Sequence, residues 1–345
     1  MTAGTLAVEE HHGAALLGRM RDEVEPRMRA ALTGLPVALR HMGGYHLGWW
    51  DERGTARHGA GGKAVRAALV LASSSALGGD GAALAGAVAV ELVHNFTLVH
   101  DDVMDRDSLR RHRPTVWAVF GTADAILVGD ALQALAVRVL AQDRHPAALP
   151  SLDRLADCMI ELCEGQSTDC AFEQRADITV AQCEAMAMGK TGALLGSACA
   201  IGALYAGAAP AQVTALDAFG RRLGLAFQLI DDLLGIWGDP AVTGKPVGAD
   251  LVARKKSLPV VAALTSGTAA GEELAALYHG DLPVDVADVA RLAELVERAG
   301  GRAWALSQAA EHSAAALVHL RAAVPDDERA HDLLTLADML TRRNR

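Results

Sequence analysis

The sequence is poor in aromatic residues, which make up only 4% of its 345 residues. Long stretches are built instead from Ala, Leu, Gly and Val. Because β-sheets favour aromatic and β-branched residues, this composition favours close-packed helices over sheets. The chain is also modest in charge, with 21% charged against 51% hydrophobic residues, which excludes a disordered protein. We therefore expect an all-α protein with a sizeable core.

The sequence also lacks the signals of secretion, membrane insertion and nucleic-acid binding. The N-terminus carries acids and histidines where a secretory signal is basic. A net charge of −10 argues against a general nucleic-acid partner. Residues 192–209 are uncharged, but their Gly and Ala content favours a buried core helix over an integral membrane segment. The odd number of cysteines, without a CxxC pair, fits a reduced, cytoplasmic protein: Cys158, Cys163, Cys170, Cys183 and Cys199.

The chain reads as one domain preceded by a short tail. We expect residues 1–12 to form a flexible N-terminal tail and residues 13–345 to form one helical domain. Apolar residues recur every four positions over residues 14–32, which predicts an amphipathic helix. Residues 43–62 are rich in Gly, His and aromatics, which predicts a loop.

Three carboxylates follow an apolar run over residues 83–99: Asp101, Asp102 and Asp105. If that run is helical, Asp101 and Asp105 project from the same face. Charges at the end of a buried helix are costly unless something compensates them. A divalent cation provides that compensation, and Arg110 and Arg111 follow closely. Carboxylates for Mg²⁺ beside arginines for phosphate predict a diphosphate–metal site.

A second carboxylate pair, Asp231 and Asp232, stands about 130 residues later, again at the end of an apolar run. A loop broken by Gly and Pro follows, and it is rich in Lys and Arg. Lys190 interrupts another Ala/Leu/Gly run, which carries a lysine into a core. Lys63 and Arg66 stand at a predicted helix start, where free N–H groups favour phosphate. Taken alone, that last pair also fits two surface cations with apolar stems.

The order and spacing of these pieces resemble the trans-polyprenyl diphosphate synthase family, and within it the geranylgeranyl diphosphate synthases. A lone DDxxD is a weak signal, whereas two Asp pairs that each end an apolar helix and precede cations are specific. The resemblance covers about residues 15–340. The matching pieces are GGKAVR at 61–66, ELVHNFTLVHDDVMDRDSLRRHRPTVW at 91–117, GQSTD at 165–169, GKTG at 189–192, and FQLIDDLLGIWGDP, GKPVGADL and KKSLP within 227–259.

The resemblance implies an all-α, single-domain helical bundle of the isoprenoid synthase type, a homodimer with a central cavity between facing helices. It implies a transferase that condenses isopentenyl diphosphate with an allylic diphosphate (dimethylallyl, geranyl or farnesyl), using three Mg²⁺ ions per active site. The chemistry agrees, because ionising a bond to diphosphate requires neutralising a highly charged leaving group. An apolar cavity then keeps the allylic cation from water.

The family roles fall on matching positions of this chain. The residues that would bind Mg²⁺ are Asp101, Asp102, Asp105, Asp231 and Asp232. The cations that would contact the allylic diphosphate are Arg110, Lys190, Lys245 and Lys255. The residues that would hold isopentenyl diphosphate are Lys63, Arg66, His94 and Arg111. Thr191 and Gln228 would direct oxygen dipoles at the developing cation, although His94 and Gln228, taken alone, also fit packing roles.

Three positions depart from the family pattern. Gly235 stands where the second motif has a third carboxylate, which removes one oxygen near the metal. Asp239, one helical turn further on, is a candidate to supply charge through water. His112 replaces a glycine after the arginine pair, and Ala64 and Ala67 replace an arginine and a proline.

Two residues before the first motif predict the product length. Phe96 and Thr97 lie five and four residues before Asp101, on the helix that would line the cavity. One bulky side chain with a small neighbour, and no insertion between Asp102 and Asp105, resembles a geranylgeranyl (C20) enzyme more than a C10 or C15 enzyme.

Other functions remain open at this point. A class I terpene cyclase of the same fold also uses DDxxD, but it needs no isopentenyl pocket, and its Asn/Asp–Ser/Thr–Glu pattern is missing after Asp231. Gly235 keeps open a catalytically idle regulatory or scaffold subunit of a prenyl synthase. A Mg²⁺-dependent diphosphate hydrolase is remoter, because the sequence offers no obvious general base for water.

Overall fold

The structure, a computed structural model, describes residues 3–57, 62–240, 247–278 and 286–342, excepting the side chains of residues 3–12, 286 and 287. It confirms the all-α prediction. The helices are α1 (Ala3–Leu32), α2 (Val37–His46), α3 (Val65–Ala76), α4 (Leu84–Met104), α5 (Val116–Phe120), α6 (Thr122–Gln142), α7 (Ala148–Phe172), α8 (Val180–Ala187), α9 (Ala193–Tyr205), α10 (Pro210–Trp237), α11 (Ala249–Val252), α12 (Leu258–Leu264), α13 (Ala269–Tyr278), α14 (Val286–Arg298), α15 (Gly301–Ala323) and α16 (His331–Thr341). A π-helical turn, Met188–Gly192, joins α8 to α9, and the short strands β1 (Leu109–Arg110) and β2 (Arg113–Pro114) form an antiparallel hairpin.

The chain divides into two compact units. The first comprises Met1–Met159, Leu194–Ala218 and His319–Met339. In its core, α4 packs along α6 and α3, and Leu92 of α4 is fully buried, as are Leu69 of α3 and Leu132 of α6. The helix that ends at the first carboxylate motif is therefore held from at least two sides.

The second unit comprises Ile160–Ala193, Phe219–Val318 and Leu340–Arg345. One of its apolar clusters is formed by Phe172, Cys183, Leu225, Leu229, Leu258 and Val261, with others. A separate cluster includes Ile236, Leu251, Leu274, Tyr278, Leu292 and Val296. The end of α10, which carries the second carboxylate motif, contributes to both clusters and is fixed by them.

Glycines bring three backbones of the second unit close together. A Cβ on Gly165 of α7 would lie 2.5 Å from the backbone nitrogen of Lys190 in the π-helical turn. A Cβ on Gly224 of α10 would lie 2.7 Å from the Cα of Gly192. Only glycine permits these approaches, because any side chain would push the backbones apart. The turn that carries Lys190 and Thr191 is thus set directly against α7 and α10.

The predicted loop over residues 43–62 was wrong at its start, because α2 continues through His46. Gly43 and Gly44 are buried in this helix, and a Cβ on Gly44 would lie 2.5 Å from the Cη2 atom of Trp50. These glycines therefore serve close packing rather than a turn. The helix predicted over residues 14–32 is confirmed, and α1 already begins at Ala3.

The helical run Val180–Tyr205 is long and apolar enough to cross a membrane by length and composition alone. Its most apolar window is 78% buried within the protein, and core helices of soluble proteins pass the same test. This run includes most of residues 192–209, which the sequence predicts as a core helix. The boundaries expected from the sequence, a tail over 1–12 and a domain over 13–345, remain predictions.

Candidate active site

In the first unit, the hairpin β1–β2 is tied to the end of α4 by an ion pair. The Nε and Nη2 atoms of Arg110 lie 2.8 and 2.7 Å from Oδ1 of Asp102. Asp102 is only 2% exposed. Burial raises the pKa of Asp102, and Arg110 opposes that rise. Burial likewise disfavours the charge of Arg110, but Asp102 and neighbouring carboxylates raise its pKa. The Asp102 carboxylate and the Arg110 guanidinium are therefore paired at a place where the carboxylate is shielded from water.

The two oxygens of Asp102 differ in their hydrogen bonding. Oδ2 is buried and accepts no hydrogen bond from the part of the chain that the structure describes. Asp101 is partly buried and Asp105 is exposed at the C-terminal end of α4. Among the described residues, no group of three or more His, Cys, Asp or Glu side chains is arranged to hold a metal. Mg²⁺ in phosphate sites takes one or two carboxylates plus phosphate oxygens and water, so this donor set fits Mg²⁺.

Cations surround the same end of α4. A small cleft is lined by Tyr45, His46, Asp102, Arg110, Arg111, Arg113, Pro114, Thr115 and Val116. Arg111 stands at the tip of the hairpin, and a Cβ on Gly62 would lie 2.8 Å from its Nη2 atom. This close approach brings Arg111 beside the segment that carries Lys63, whose side chain is exposed. The structure thus brings two of the predicted isopentenyl diphosphate ligands into one region.

The other two predicted ligands of isopentenyl diphosphate contact each other. Nη1 of Arg66 lies 3.0 Å from Nε2 of His94. Burial lowers the pKa of His94 well below its ordinary value, and the charges of Arg66, Arg111 and Arg110 lower it further. Arg66 lies in the first turn of α3, which confirms the predicted helix start.

Glu91 is a charged residue of this region whose role the sequence did not reveal. It is 6% exposed, and its Oε2 atom lies 3.4 Å from the backbone nitrogen of Ala67 in α3. Burial raises the pKa of Glu91, and the charges of Arg66 and Arg111 oppose that rise. Its position three residues before His94, on the same helix face, was the available signal. Glu91 therefore lies close enough to Arg66 and Arg111 for their charges to act on its carboxyl group.

Phe96 is buried and Thr97 is partly buried on α4. The Phe96 ring meets the ring of His100 edge to face, with 5.4 Å between centroids. His100 is fixed in turn, because its Nε2 atom lies 3.0 Å from the carbonyl oxygen of Ile126 on α6. Thr97 donates its hydroxyl to the carbonyl oxygen of His94 at 2.8 Å. The aromatic side chain predicted to limit product length thus has a rigid support on one side.

In the second unit, a chain of hydrogen bonds runs from the π-helical turn to the second motif. The hydroxyl of Thr191 donates to Oε1 of Gln228 at 2.7 Å, and Nε2 of Gln228 donates to Oδ1 of Asp232 at 2.7 Å. The backbone nitrogen of Leu258 donates to Oδ2 of Asp232 at 2.9 Å. Burial raises the pKa of Asp232 to about 6, and Lys255 opposes that rise. Asp231, by contrast, is exposed.

The cations of the second unit are held by carboxylates. Nζ of Lys190 donates to Oδ2 of Asp169 at 2.6 Å, so the partner of the core lysine is the Asp of the GQSTD piece. Removal from water disfavours the charge of Lys255, but four carboxylates raise its pKa: Asp250, Asp232, Asp169 and Asp231. The structure thus gathers Lys190, Thr191, Gln228, Asp231, Asp232 and Lys255 within one unit. Lys245 lies outside the described residues.

Comparisons with known proteins identify the family of the chain. The family model described as polyprenyl synthetase matches residues 51–296. The chain is 50% identical over 333 residues to a protein named geranylgeranyl diphosphate synthase from Mycobacterium tuberculosis, covering 96% of this chain and 94% of the relative. It is 48% identical over 301 residues to one named (2E,6E)-farnesyl diphosphate synthase from Mycobacterium bovis, covering 86% of this chain and 84% of the relative.

The fold is similar to that of a solved polyprenyl synthetase from Streptomyces coelicolor A3(2). The two chains are 45% identical, with a TM-score of 0.90, and the match covers 94% of this chain and 98% of the other. With the family model matching well over half of the sequence, the chain belongs to the polyprenyl synthetase family of prenyltransferases and has its all-α isoprenoid synthase fold.

Proposed function

We propose that this prenyltransferase condenses isopentenyl diphosphate with an allylic diphosphate in a Mg²⁺-dependent reaction, and that its main product is geranylgeranyl diphosphate. The observation that carries the proposal is the grouping of cations around His94. The positive charges of Arg66, Arg110 and Arg111 all lower the pKa of its ring, and Arg66 contacts the ring directly. Such a concentration of positive charge in a buried region is stabilised by a multiply charged anion. A diphosphate satisfies that requirement.

The residues of the first unit divide between two substrates. In the proposal, Arg110 faces the allylic diphosphate, because its guanidinium is bound to Asp102 of the metal motif. Lys63, Arg66, His94 and Arg111 hold isopentenyl diphosphate. Arginine suits both roles, since its planar fork matches phosphate oxygens. The two substrates are then placed with the isopentenyl double bond near the allylic carbon, which reduces the entropic cost of reaction.

The carboxylates are proposed as the metal ligands: Asp101, Asp102, Asp105, Asp231 and Asp232. They would hold three Mg²⁺ ions, which would supply positive charge against the charge that develops on the departing diphosphate. The buried, unsatisfied Oδ2 atom of Asp102 supports this assignment. Lys190, Lys245 and Lys255 add positive charge toward the allylic diphosphate.

The reaction exchanges one bond for another. The allylic C–O bond breaks, the isopentenyl double bond attacks the allylic carbon, and a proton passes to the released diphosphate. Thr191 and Gln228 form a fixed pair through their hydrogen bond, and we propose that their oxygens stabilise the developing positive charge. Asp232 holds Gln228 in place from the other side. The role of this hydrogen-bonded chain is to keep those oxygens from turning away.

The proposed C20 product depends on Phe96. Its ring is buried and is supported by His100. The relatives described above carry names for both C20 and C15 products. A single bulky side chain at this position, with the smaller Thr97 beside it, supports the longer of the two.

We further propose that the enzyme acts as a homodimer. Apolar residues on the solvent side of α6 are exposed: Ile126 by 44%, Leu127 by 53% and Val137 by 37%. A second copy of the chain that covers α6 removes this apolar surface from water. Ile126→Glu should therefore yield monomers in sedimentation velocity while wild type sediments as a dimer. A monomeric wild type contradicts the proposal.

The experiment that tests the reaction is a product assay. The protein is incubated with Mg²⁺, isopentenyl diphosphate and dimethylallyl diphosphate, and the alcohols are sized after phosphatase treatment. We expect mainly C20 alcohol. Products of C30 or longer contradict the proposed length. Diphosphate release without isopentenyl diphosphate indicates a cyclase or a hydrolase, and no turnover indicates a scaffold subunit.

A further inference from the structure

A glycine near the middle of α6 makes room for a ring that α4 carries. Gly129 is buried there, although glycine destabilises a helix interior relative to alanine. A Cβ built on Gly129 would lie 3.0 Å from Cε1 of His100, and closer still to its Cδ2 and Nε2 atoms. The His100 imidazole therefore occupies the volume where a side chain at position 129 begins, which is a packing reason for the glycine.

The same ring is bound to α6 by a hydrogen bond. Nε2 of His100 lies 3.0 Å from the carbonyl oxygen of Ile126, three residues before Gly129. A carbonyl oxygen can only accept, so Nε2 carries a proton and is the donor. The carboxylate of Asp130 lies further away, with 3.8 Å between its Oδ1 atom and Nε2. The carbonyl at position 126 and the missing side chain at position 129 therefore fix the place of the ring together.

The position of His100 constrains Phe96 in turn. The two residues are four positions apart on α4, a spacing at which side chains lie beside each other. Their rings meet edge to face at 90°, with 5.4 Å between centroids. Such a contact favours one arrangement of the two rings over others. A movement of the His100 ring on α6 must therefore move Phe96 as well or break the contact between the rings.

We propose that His100 and Gly129 are positioning residues for product length. The His100 ring, seated against Gly129, holds Phe96 in the orientation that stops growth of the prenyl chain at C20. This inference rests on the chain-elongating function proposed above and on the role given there to Phe96. It places part of the length control in the packing of α4 against α6, where neither residue needs to touch the substrate. The volume available to the two rings then decides how far the apolar chain extends.

Product length tests the proposal, because the ratio of products can be measured even where turnover is slow. Each variant is incubated with Mg²⁺, isopentenyl diphosphate and dimethylallyl diphosphate, and the C15, C20 and longer alcohols are quantified after phosphatase treatment. Gly129→Ala adds a methyl group that overpacks the two rings, and we expect the ratio of C15 to C20 product to rise about threefold or more. His100→Ala empties the space beside Phe96, and the share of products longer than C20 should rise by a similar factor.

A double variant shows whether Gly129 acts through His100. Without the imidazole, the added methyl group no longer meets the atoms that it would displace. Gly129→Ala combined with His100→Ala should therefore give the same product distribution as His100→Ala alone. A distribution shifted back toward C15 in the double variant means that position 129 acts on the product independently, and it contradicts the proposal.

Gly86→Ala is the matched control. Gly86 is also buried, on α4, and its added Cβ would lie 2.6 Å from Cγ2 of Ile201 and 3.0 Å from Cε2 of Tyr205. It stands ten residues before Phe96, about 15 Å along the helix. We expect this variant to melt at a lower temperature than wild type and still to make mainly C20 product.

The outcomes separate this inference from the function on which it rests. Wild-type products from both Gly129→Ala and His100→Ala, with longer products from Phe96→Ala, overturn the inference alone. If the melting curve shows that Gly129→Ala does not fold, unchanged products from His100→Ala overturn it in the same way. A shift of equal size in Gly86→Ala assigns the effect to general loosening of the core and also overturns the inference. A wild type that makes no C20 product from these substrates overturns the proposed function as well.

Discussion

The Nη1 atom of Arg66 lies 3.0 Å from the Nε2 atom of His94. A guanidinium can only donate, so Nε2 of His94 accepts and the ring carries its proton on Nδ1. Burial and three neighbouring guanidinium charges lower the pKa of His94 and keep the ring neutral. His94 therefore orients Arg66 instead of adding a charge of its own.

Removing this acceptor should weaken the binding of one substrate more than that of the other. His94→Ala frees the Arg66 side chain, and we expect KM for isopentenyl diphosphate to rise about tenfold, the loss of about one good hydrogen bond to a charged group. KM for the allylic diphosphate should change little. His94→Gln retains an acceptor and should recover part of the affinity. A rise confined to the allylic KM would contradict the assignment.

Asp101→Ala and Asp102→Ala should separate catalysis from stability. Both remove a proposed metal ligand, so turnover should fall by about three orders of magnitude or more. Asp102→Ala also removes the carboxylate that contacts Arg110 directly, and it should cost about 1–3 kcal/mol of unfolding free energy. Asp101 is less buried, and its loss should leave stability nearly unchanged. Chemical denaturation and turnover of both variants test this difference, and an unfolded Asp101→Ala protein would show a structural role instead.

Acid should destabilise the fold through His46. Its pKa is lowered to about 3 by burial and by the charges of Arg111 and Arg110. Below about pH 6.5 the unfolded chain binds a proton at this residue and the folded chain does not, so stability falls as pH falls. At pH 5.5 this difference amounts to about 1.4 kcal/mol for one histidine. His46→Gln should show a smaller loss of unfolding free energy between pH 7.5 and 5.5 than wild type. Equal losses would mean that His46 is protonated in the folded state.

The hairpin tip carries strain that glycine should relieve. Arg111 and His112 have φ angles of 51° and 60°, the left-handed values that a two-residue hairpin turn of type I′ requires. A residue with a side chain pays about 1–2 kcal/mol at such an angle, offset in part by the greater freedom of glycine when unfolded. His112→Gly should therefore raise the unfolding free energy by about 0.5–1 kcal/mol. His112→Ala, measured in parallel, should not, and an equal gain from alanine would place the effect in the imidazole rather than in the backbone.

Phe96 should limit the length of the product. Phe96→Ala removes a ring supported by His100, and we expect the main product to lengthen beyond C20. Leu32→Ala in α1, where the side chain is fully buried, also creates a cavity and should destabilise the protein by about 2–5 kcal/mol. Its main product should remain C20. A longer product from Phe96→Ala alone then indicates a deeper cavity rather than a less stable fold. Unchanged C20 product from Phe96→Ala would remove Phe96 from the length-determining role.

Helical periodicity in the sequence predicted which residues are buried and where the first motif stands within a single helix. The apolar residues that recur every four positions over residues 14–32 are buried as their spacing indicates: Leu16, Met20, Val24 and Met28. The carboxylates of the first motif do stand at the C-terminal end of α4, and Arg110 does approach one of them. These features depend on helical periodicity and short separations, which a sequence displays directly.

Contacts between distant segments were not predictable in the same way. The approach of His100 to Gly129 depends on how α4 packs against α6, and no periodicity encodes that. The hairpin at β1–β2 has Arg111 and His112 at its turn in place of an Asn-Gly type of turn signal, so no local pattern predicts it. The glycines over residues 43–62 predict a loop, whereas Gly44 lies in α2 and packs against Trp50.

The π-helical turn Met188–Gly192 amounts to one residue more than a regular helix needs. Because each residue of an α-helix advances by about 100°, that extra residue rotates everything after it by the same angle about the helix axis. The side chains of α9 therefore point about 100° away from the directions that an uninterrupted α-helix continuing α8 would give them. A deletion of one residue here would regularise the helix and rotate α9, whose side chains are almost all buried, so that they would meet different packing partners.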